Sequence, residues 1–120
     1  MASWSADPRI SAVAAALAPY AWQDLTERML ARRVLAAADR YRVVRLIQSV
    51  PGAAVGELGP MEPAGNGDVR VDVLVRALEH RRRRAFSVER VCADLLAALD
   101  AWQAERDSFD AGVRRLPDDR

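Results

Sequence analysis

Two side chains of this sequence have the chemistry of a general base or a nucleophile, namely the single histidine, His80, and the single cysteine, Cys92. A catalytic histidine needs a nucleophile or carboxylate held within hydrogen-bond distance, and the spacing of the residues identifies no such partner. His80 instead precedes a run of four arginines near the end of a predicted helix. That context favours an exposed histidine beside a helix C-terminus.

Cys92 falls on the apolar stripe of the last predicted helix, which favours a buried, unreactive side chain, since reactive thiols need exposure and positive neighbours. One cysteine and one histidine exclude an intrachain disulfide, a thiolate cluster and a multi-histidine metal site. Gly65 and Gly67 are not followed by the Gly-Lys-Ser/Thr of a phosphate-binding loop. We therefore predict no enzymatic activity, no metal and no cofactor.

The charges, in contrast, are sorted by position. The region 28–45 is basic, with one acid, Asp39, and the region 94–110 is acidic, with one arginine, Arg106. The predicted basic face comprises Arg28, Arg32, Arg33, Arg40, Arg42 and Arg45, together with the run Arg81, Arg82, Arg83 and Arg84. The predicted acidic face comprises Asp94, Asp100, Glu105, Asp107 and Asp110. Two oppositely charged faces predict a protein that binds a complementary surface, which could be another copy of itself.

Composition limits the classes of protein that fit. A chain of 120 residues, 51% hydrophobic and 29% charged, suits one domain with a core of its own, here predicted over residues 1–120. We expect an ordered part at 7–110, a loop at 59–67 and a loose tail from Gly112. The net charge of +1 is small for a nucleic-acid-binding domain. No apolar run is long enough to span a membrane, and a single cysteine suits the cytoplasm, where we expect the protein to reside.

Apolar residues recur at helical spacing throughout, which predicts an all-α fold: a compact bundle of five or six short helices. Asp7-Pro8, Asp68 and Ser87 are expected to begin helices. A helix over about 23–39 and another through 41–50 could be separate or continuous, and residues 53–58 could add a short turn. The shared helical phase of three segments predicts a core of Leu46, Ile47, Leu74, Leu78, Cys92, Leu95 and Leu99. Trp22 and Trp102 are in phase with apolar stripes and are also expected to pack in the core.

Three segments carry a likeness to a known family: VVRLIQSVPGAAVGEL at 43–58, DVRVDVLVRALEHR at 68–81 and SVERVCADLLAAL at 87–99. Their order, with a glycine-rich loop between the first two, resembles the effector-associated domains of bacterial conflict systems. The resemblance covers about half the chain. It implies a death-like helical fold and work as a non-catalytic adaptor in immunity, which couples an effector enzyme to a sensor or NTPase.

Two functions therefore remain open. In the first, the protein is an interaction adaptor whose partner is another helical domain of the same type, with self-association possible. In the second, it is a small nucleic-acid-binding regulator that uses Arg81–Arg84, although the acidic last helix would repel phosphate. We favour the adaptor, and expect neither nucleic acid nor membrane to be the partner.

Overall fold

The computed structural model describes residues 7–52, 59, 61–79 and 81–115. Residues 113–115 are described as backbone only. These ranges hold four α-helices: α1 (Pro8–Leu17), α2 (Glu27–Gln48), α3 (Val69–Leu78) and α4 (Val88–Arg115). Single turns of 3-10 helix, Trp22–Asp24 and Arg83–Ala85, precede α2 and α4. The all-α prediction is confirmed. The possible helical turn at 53–58 lies outside the described residues.

The predicted number of helices, five or six, differs from the four that the described ranges contain. The two segments that could have been separate near Asp39-Arg40 are one continuous helix, α2. No proline or glycine interrupts the sequence there. Asp39 keeps its helical backbone and uses its carboxylate to bind Arg70 of α3. Asp39, a polar residue in the middle of α2, thus connects α2 to α3 without ending α2.

Side-chain caps fix where the helices begin. Asp7 and Asp68 accept hydrogen bonds from the backbone N–H groups of Arg9 and Arg70, at 3.0 and 2.9 Å, as their position before each helix predicted. Ser87 accepts from the N–H of Arg90 at 3.1 Å, which confirms the third predicted start. The start of α2 was predicted near residue 23 but lies four residues later. Residues 22–24 form the 3-10 turn instead, and Thr26 caps the helix.

The core lies between two short and two long helices. Both α1 and α3 have 10 residues, and each packs against both α2 and α4. The long helices have 22 and 28 residues, or roughly 33 and 42 Å at 1.5 Å per residue. Burial on α2 stops at Ala36 and burial on α4 stops at Leu96. The C-terminal halves of α2 and α4 therefore extend beyond the layer that the short helices cover.

This length mismatch decides which predicted core residues are buried. Four of them are fully enclosed: Leu74, Leu78, Cys92 and Leu95. Ile47 and Leu99 are half-buried, as is Trp102. The prediction for Leu46 is wrong, because its side chain is 58% exposed on the part of α2 that has passed the end of the core. Trp22 is buried as expected.

The far end of α4 also differs from the sequence-based expectation. The helix runs through Gly112 to Arg115, across the point where a loose tail was predicted. From Asp100 to Asp110 every residue except Trp102 is exposed. This end of α4 is thus helical without being buried, and it carries most of the predicted acidic face.

Candidate interaction surfaces

The arginine run at 81–84 is largely engaged with the domain's own groups. Arg81 binds the carboxylate of Asp94 at 2.7 Å, with the two side chains only 22% and 29% exposed. Arg83 donates to the carbonyl oxygen of Trp22 (2.9 Å) and lies 3.9 Å from the carboxylate of Glu27, and Arg84 binds the carboxylate of Asp24. Of the four side chains, Arg82 alone makes no ion pair or hydrogen bond with the described residues. The run therefore holds α4 against the turn before α2, and does not form a row of open cations.

The first half of the predicted basic face is used in a similar way. Three arginines of α2 contact neighbouring elements: Arg28 binds Asp72 of α3 (3.0 Å), Arg32 donates to the carbonyl oxygen of Ala64 (2.6 Å), and Arg33 lies 4.1 Å from the ring centroid of Tyr20. Arg40 donates a short hydrogen bond to the carbonyl oxygen of Gly59. These side chains point to different sides of α2 and do not make one continuous face.

The acidic residues divide at the end of the core. Asp94 is bound by Arg81 and by Arg90, and Asp100 accepts two hydrogen bonds from Arg9 of α1, at 3.0 and 2.8 Å. Beyond Asp100 the carboxylates belong to the exposed end of α4. Asp107 accepts a hydrogen bond from Gln103 one turn earlier (3.0 Å), and both Glu105 and Asp110 are exposed. Three acids of the predicted face are thus displayed on one projecting helix.

Arg42 and Arg45, the last two residues of the predicted basic face on α2, line a groove of about 750 Å³. The groove lies between the extended halves of α2 and α4. Its apolar lining comes from Ala38, Tyr41, Leu46, Leu96 and Leu99, and its polar lining includes Ser49 and Gln103. Here the two long helices continue past their short neighbours, and no described residue fills the space between them. Sequence reasoning missed this groove because it depends on helix lengths and on no local motif.

Two arginines that each bridge two carboxylates border the groove. Arg9 bridges Asp7 (2.6 Å) and Asp100 (2.8 Å), and Arg70 bridges Asp68 and Asp39 (2.9 Å each). Hydrogen bonds from these guanidinium groups lower the pKa values of Asp7 and Asp68. Hydrogen bonds to Asp100 and Asp39, followed by those to Asp7 and Asp68, raise the pKa values of Arg9 and Arg70. Each cap residue thereby anchors the first turn of a short helix to a long one.

Because Arg9 and Arg70 are paired with carboxylates, the charge left open at the groove belongs to α2. Arg42 and Arg45 are exposed and make no ion pair with the part of the chain that the structure describes. The groove therefore has an apolar floor and a positive edge. A partner that fits it needs apolar side chains and carboxylates on one surface.

Of the two candidates for catalytic chemistry, only Cys92 belongs to the described residues, and it does not line the groove. Cys92 is completely buried, and burial, with a smaller contribution from Glu89, raises its pKa to about 12. The interpretation of Cys92 as a core residue is confirmed. His80 lies outside the described residues. Across the described ranges, no three His, Cys, Asp or Glu side chains come together as a possible metal site, and no helix is apolar enough over a sufficient length to cross a membrane.

Comparison with known proteins gives no relative for this arrangement. No protein-family model matches the chain, and neither a curated protein nor a solved structure matches it significantly.

Proposed function

We propose that this protein is a non-catalytic, death-like interaction adaptor, which couples an effector enzyme to a sensor or NTPase by binding another helical domain of the same type. The observation that carries the proposal is the groove between the extended halves of α2 and α4, which has a volume of about 750 Å³ and is lined in part by Leu46, Leu99 and Tyr41. Exposed apolar surface rimmed by polar groups is characteristic of a protein-binding site. An amphipathic helix is the element that fits between two helices.

The charges support a helical partner with an acidic edge. Arg42 and Arg45 stand on one wall of the groove, while the other arginines of α2 are engaged with neighbouring elements of the domain. Desolvated charges at an interface need partners of opposite sign, and such pairs set the register and the choice of partner. An adaptor of this kind contributes affinity and specificity and leaves the chemistry to the enzyme it recruits.

Binding to candidate partners tests the proposal. We would purify the helical domains encoded by the genes beside this one and titrate each against the protein by isothermal titration calorimetry. The double variant Arg42→Glu/Arg45→Glu should bind at least about tenfold more weakly than wild type, because two favourable charge pairs become repulsive. The control Arg76→Glu/Arg82→Glu makes the same change in net charge at exposed sites outside the groove. Failure of wild type to bind any such domain, or equal binding by the groove variant, would contradict the proposal.

The nucleic-acid alternative has less support. It relies on Arg81–Arg84 as a phosphate-binding cluster, yet Arg81, Arg83 and Arg84 contact groups of the domain itself. A gel-shift titration at low salt provides the comparison, since phosphate contacts give a strong salt dependence. We expect no shift at protein concentrations that saturate the helical partner.

A further inference from the structure

The buried stripe of α4 continues along the helix after the core ends. Leu95, Leu99, Trp102, Arg106 and Phe109 follow each other at intervals of four, three, four and three residues. This is the spacing of the contact positions in a helix that packs along its whole length against another helix. Exposure rises along it, from a buried Leu95 through a half-buried Trp102 to a Phe109 that is 71% exposed. Within one copy, no described helix covers the exposed end of this stripe, so the stripe is available to a helix of another molecule.

The inward face of α2 changes from apolar to basic where the core ends. After the buried Val34 and the half-buried Ala38, the same face presents Tyr41, Arg42 and Arg45 to the groove. A helix lying on the stripe of α4 would have α2 along one side. On that side it would meet two guanidinium groups, so its own residues there should be acidic.

The chain contains one described helix that meets both requirements, the end of α4 itself. We infer that the groove binds the C-terminal half of α4 from a second copy, in a closed two-fold dimer with the two α4 helices antiparallel. The inference rests on the proposed function, since it assigns a homotypic partner to the same groove. Each copy supplies one groove and one occupant, so the contact is reciprocal.

The identity of the stripe residues selects the antiparallel direction. In a parallel pair, Arg106 would face Arg106 of the partner subunit, and Glu105 would lie beside the partner's Asp110, so like charges would meet in both places. In an antiparallel pair centred between Trp102 and Arg106, Leu99 lies opposite the partner's Phe109. Trp102 then lies opposite the partner's Arg106. Arg106 already stands 5.2 Å from the ring of Trp102 within one chain, so the same cation–π contact can form between copies.

The antiparallel arrangement also brings opposite charges together. Gln103 lines the groove on the side of α2, and Asp107 and Asp110 follow it by four and seven residues, on the same side of α4. A two-fold axis perpendicular to the helices keeps that side toward α2. The partner's Asp107 and Asp110 therefore approach Arg42 and Arg45.

Sedimentation equilibrium at low and high salt tests the dimer. We expect wild type to dimerise, and the dimer to weaken as salt screens the exposed charges. Phe109→Asp and Arg42→Glu/Arg45→Glu should each raise the dissociation constant at least about tenfold. Adding Asp107→Arg/Asp110→Arg to the second variant should restore much of the affinity. Glu62→Arg and Arg76→Glu, at exposed sites away from the groove, serve as charge controls, and circular dichroism verifies that each variant is folded.

Cross-linking tests the direction of the helices. The double variant Leu99→Cys/Phe109→Cys should form disulfide-linked dimers on mild oxidation, because the antiparallel pair places the thiol at position 99 of each copy opposite the thiol at position 109 of the other. The single variant Phe109→Cys should not form such dimers. In a parallel pair the two thiols at position 109 would face each other, and the single variant would be linked. The native Cys92 does not interfere, since it is fully buried.

The outcomes separate this inference from the proposed function. A protein that stays monomeric at about 100 µM, far above ordinary micromolar affinities, overturns the dimer. If it then binds a different helical domain in a way that depends on Arg42 and Arg45, the adaptor function stands with another occupant. A dimer that is insensitive to Phe109→Asp and to the groove charges also overturns the inference, because it must use a different surface.

Discussion

The stability of this domain should depend on where a leucine lies relative to the end of the core, and the pair Leu95 and Leu46 isolates that effect. Leu95 is completely buried in the hydrophobic core, whereas Leu46 is 58% exposed on the extended half of α2. Truncation to alanine removes the same atoms in both cases. For Leu95 the loss of transfer free energy adds to an unfilled cavity, for an expected cost of about 2–5 kcal/mol. For Leu46 no cavity forms, and the expected cost is below about 1 kcal/mol.

These free energies convert to measurable shifts in melting temperature. In a chain of this size each kcal/mol lowers Tm by roughly 4 °C, so Leu95→Ala should melt roughly 8–20 °C below wild type and Leu46→Ala within roughly 4 °C of it. Differential scanning calorimetry at low micromolar protein, where association contributes little, provides the comparison. Equal shifts for the two variants would refute the conclusion that the core ends at Ala36 on α2.

Three further predictions concern charges and the thiol. The carboxylate of Asp68, whose pKa is lowered by its bond to Arg70, should stabilise the fold at any pH above about 3.9, the ordinary value in an unfolded chain. That contribution should disappear as the pH falls through the lower pKa of the folded state, so urea unfolding from pH 6 to pH 2 should show a smaller loss of stability in Asp68→Asn than in wild type. Cys92 should resist Ellman's reagent at pH 8 in the native protein and react fully in guanidinium, and rapid labelling of the native protein would contradict its burial. Asp94→Asn, which leaves the half-buried Arg81 without its carboxylate, should lower the free energy of unfolding by about 1–3 kcal/mol. Asp24→Asn, at an exposed pair, should lower it by less than about 1 kcal/mol. Chemical denaturation measures both changes, and a larger loss for Asp24→Asn would show that burial does not control the strength of these pairs.

Local signals in the sequence were sufficient for the starts of three helices and for much of the core. The starts of α1, α3 and α4 were predicted from Asp7-Pro8, Asp68 and Ser87, together with the period of the apolar residues. These signals are readable from the sequence because caps and periodicity depend on neighbours a few residues apart. The same period predicted the burial of Leu74 and Leu95. The apolar period could not predict that Leu46 is exposed, because the period continues unchanged along the part of α2 that extends beyond the core.

The candidate site was predictable only in part. Arg42, Arg45, Asp107 and Asp110 were all named from the charge pattern, but so were arginines that the fold pairs with its own carboxylates or carbonyls. Pairing across the bundle depends on which helices are neighbours, and the pattern along one helix does not contain that information. The groove itself follows from 10-residue helices that pack against helices of 22 and 28 residues, a difference that only the assembled structure reveals.

The exposed end of α4 has a consequence for the energetics of binding. A helical segment that packs against nothing is marginally stable in water, so this end should be in equilibrium between helix and coil, and a partner that binds the helix must bear the free energy of ordering it. Gly112 lies in this segment with open space around it and no strained backbone angle. Replacing it with alanine should favour the helix by roughly 0.5–1 kcal/mol and raise affinity by that amount through helix propensity. The strength of the association could thus be adjusted by the stability of the free helix as well as by the contacts that the helix makes.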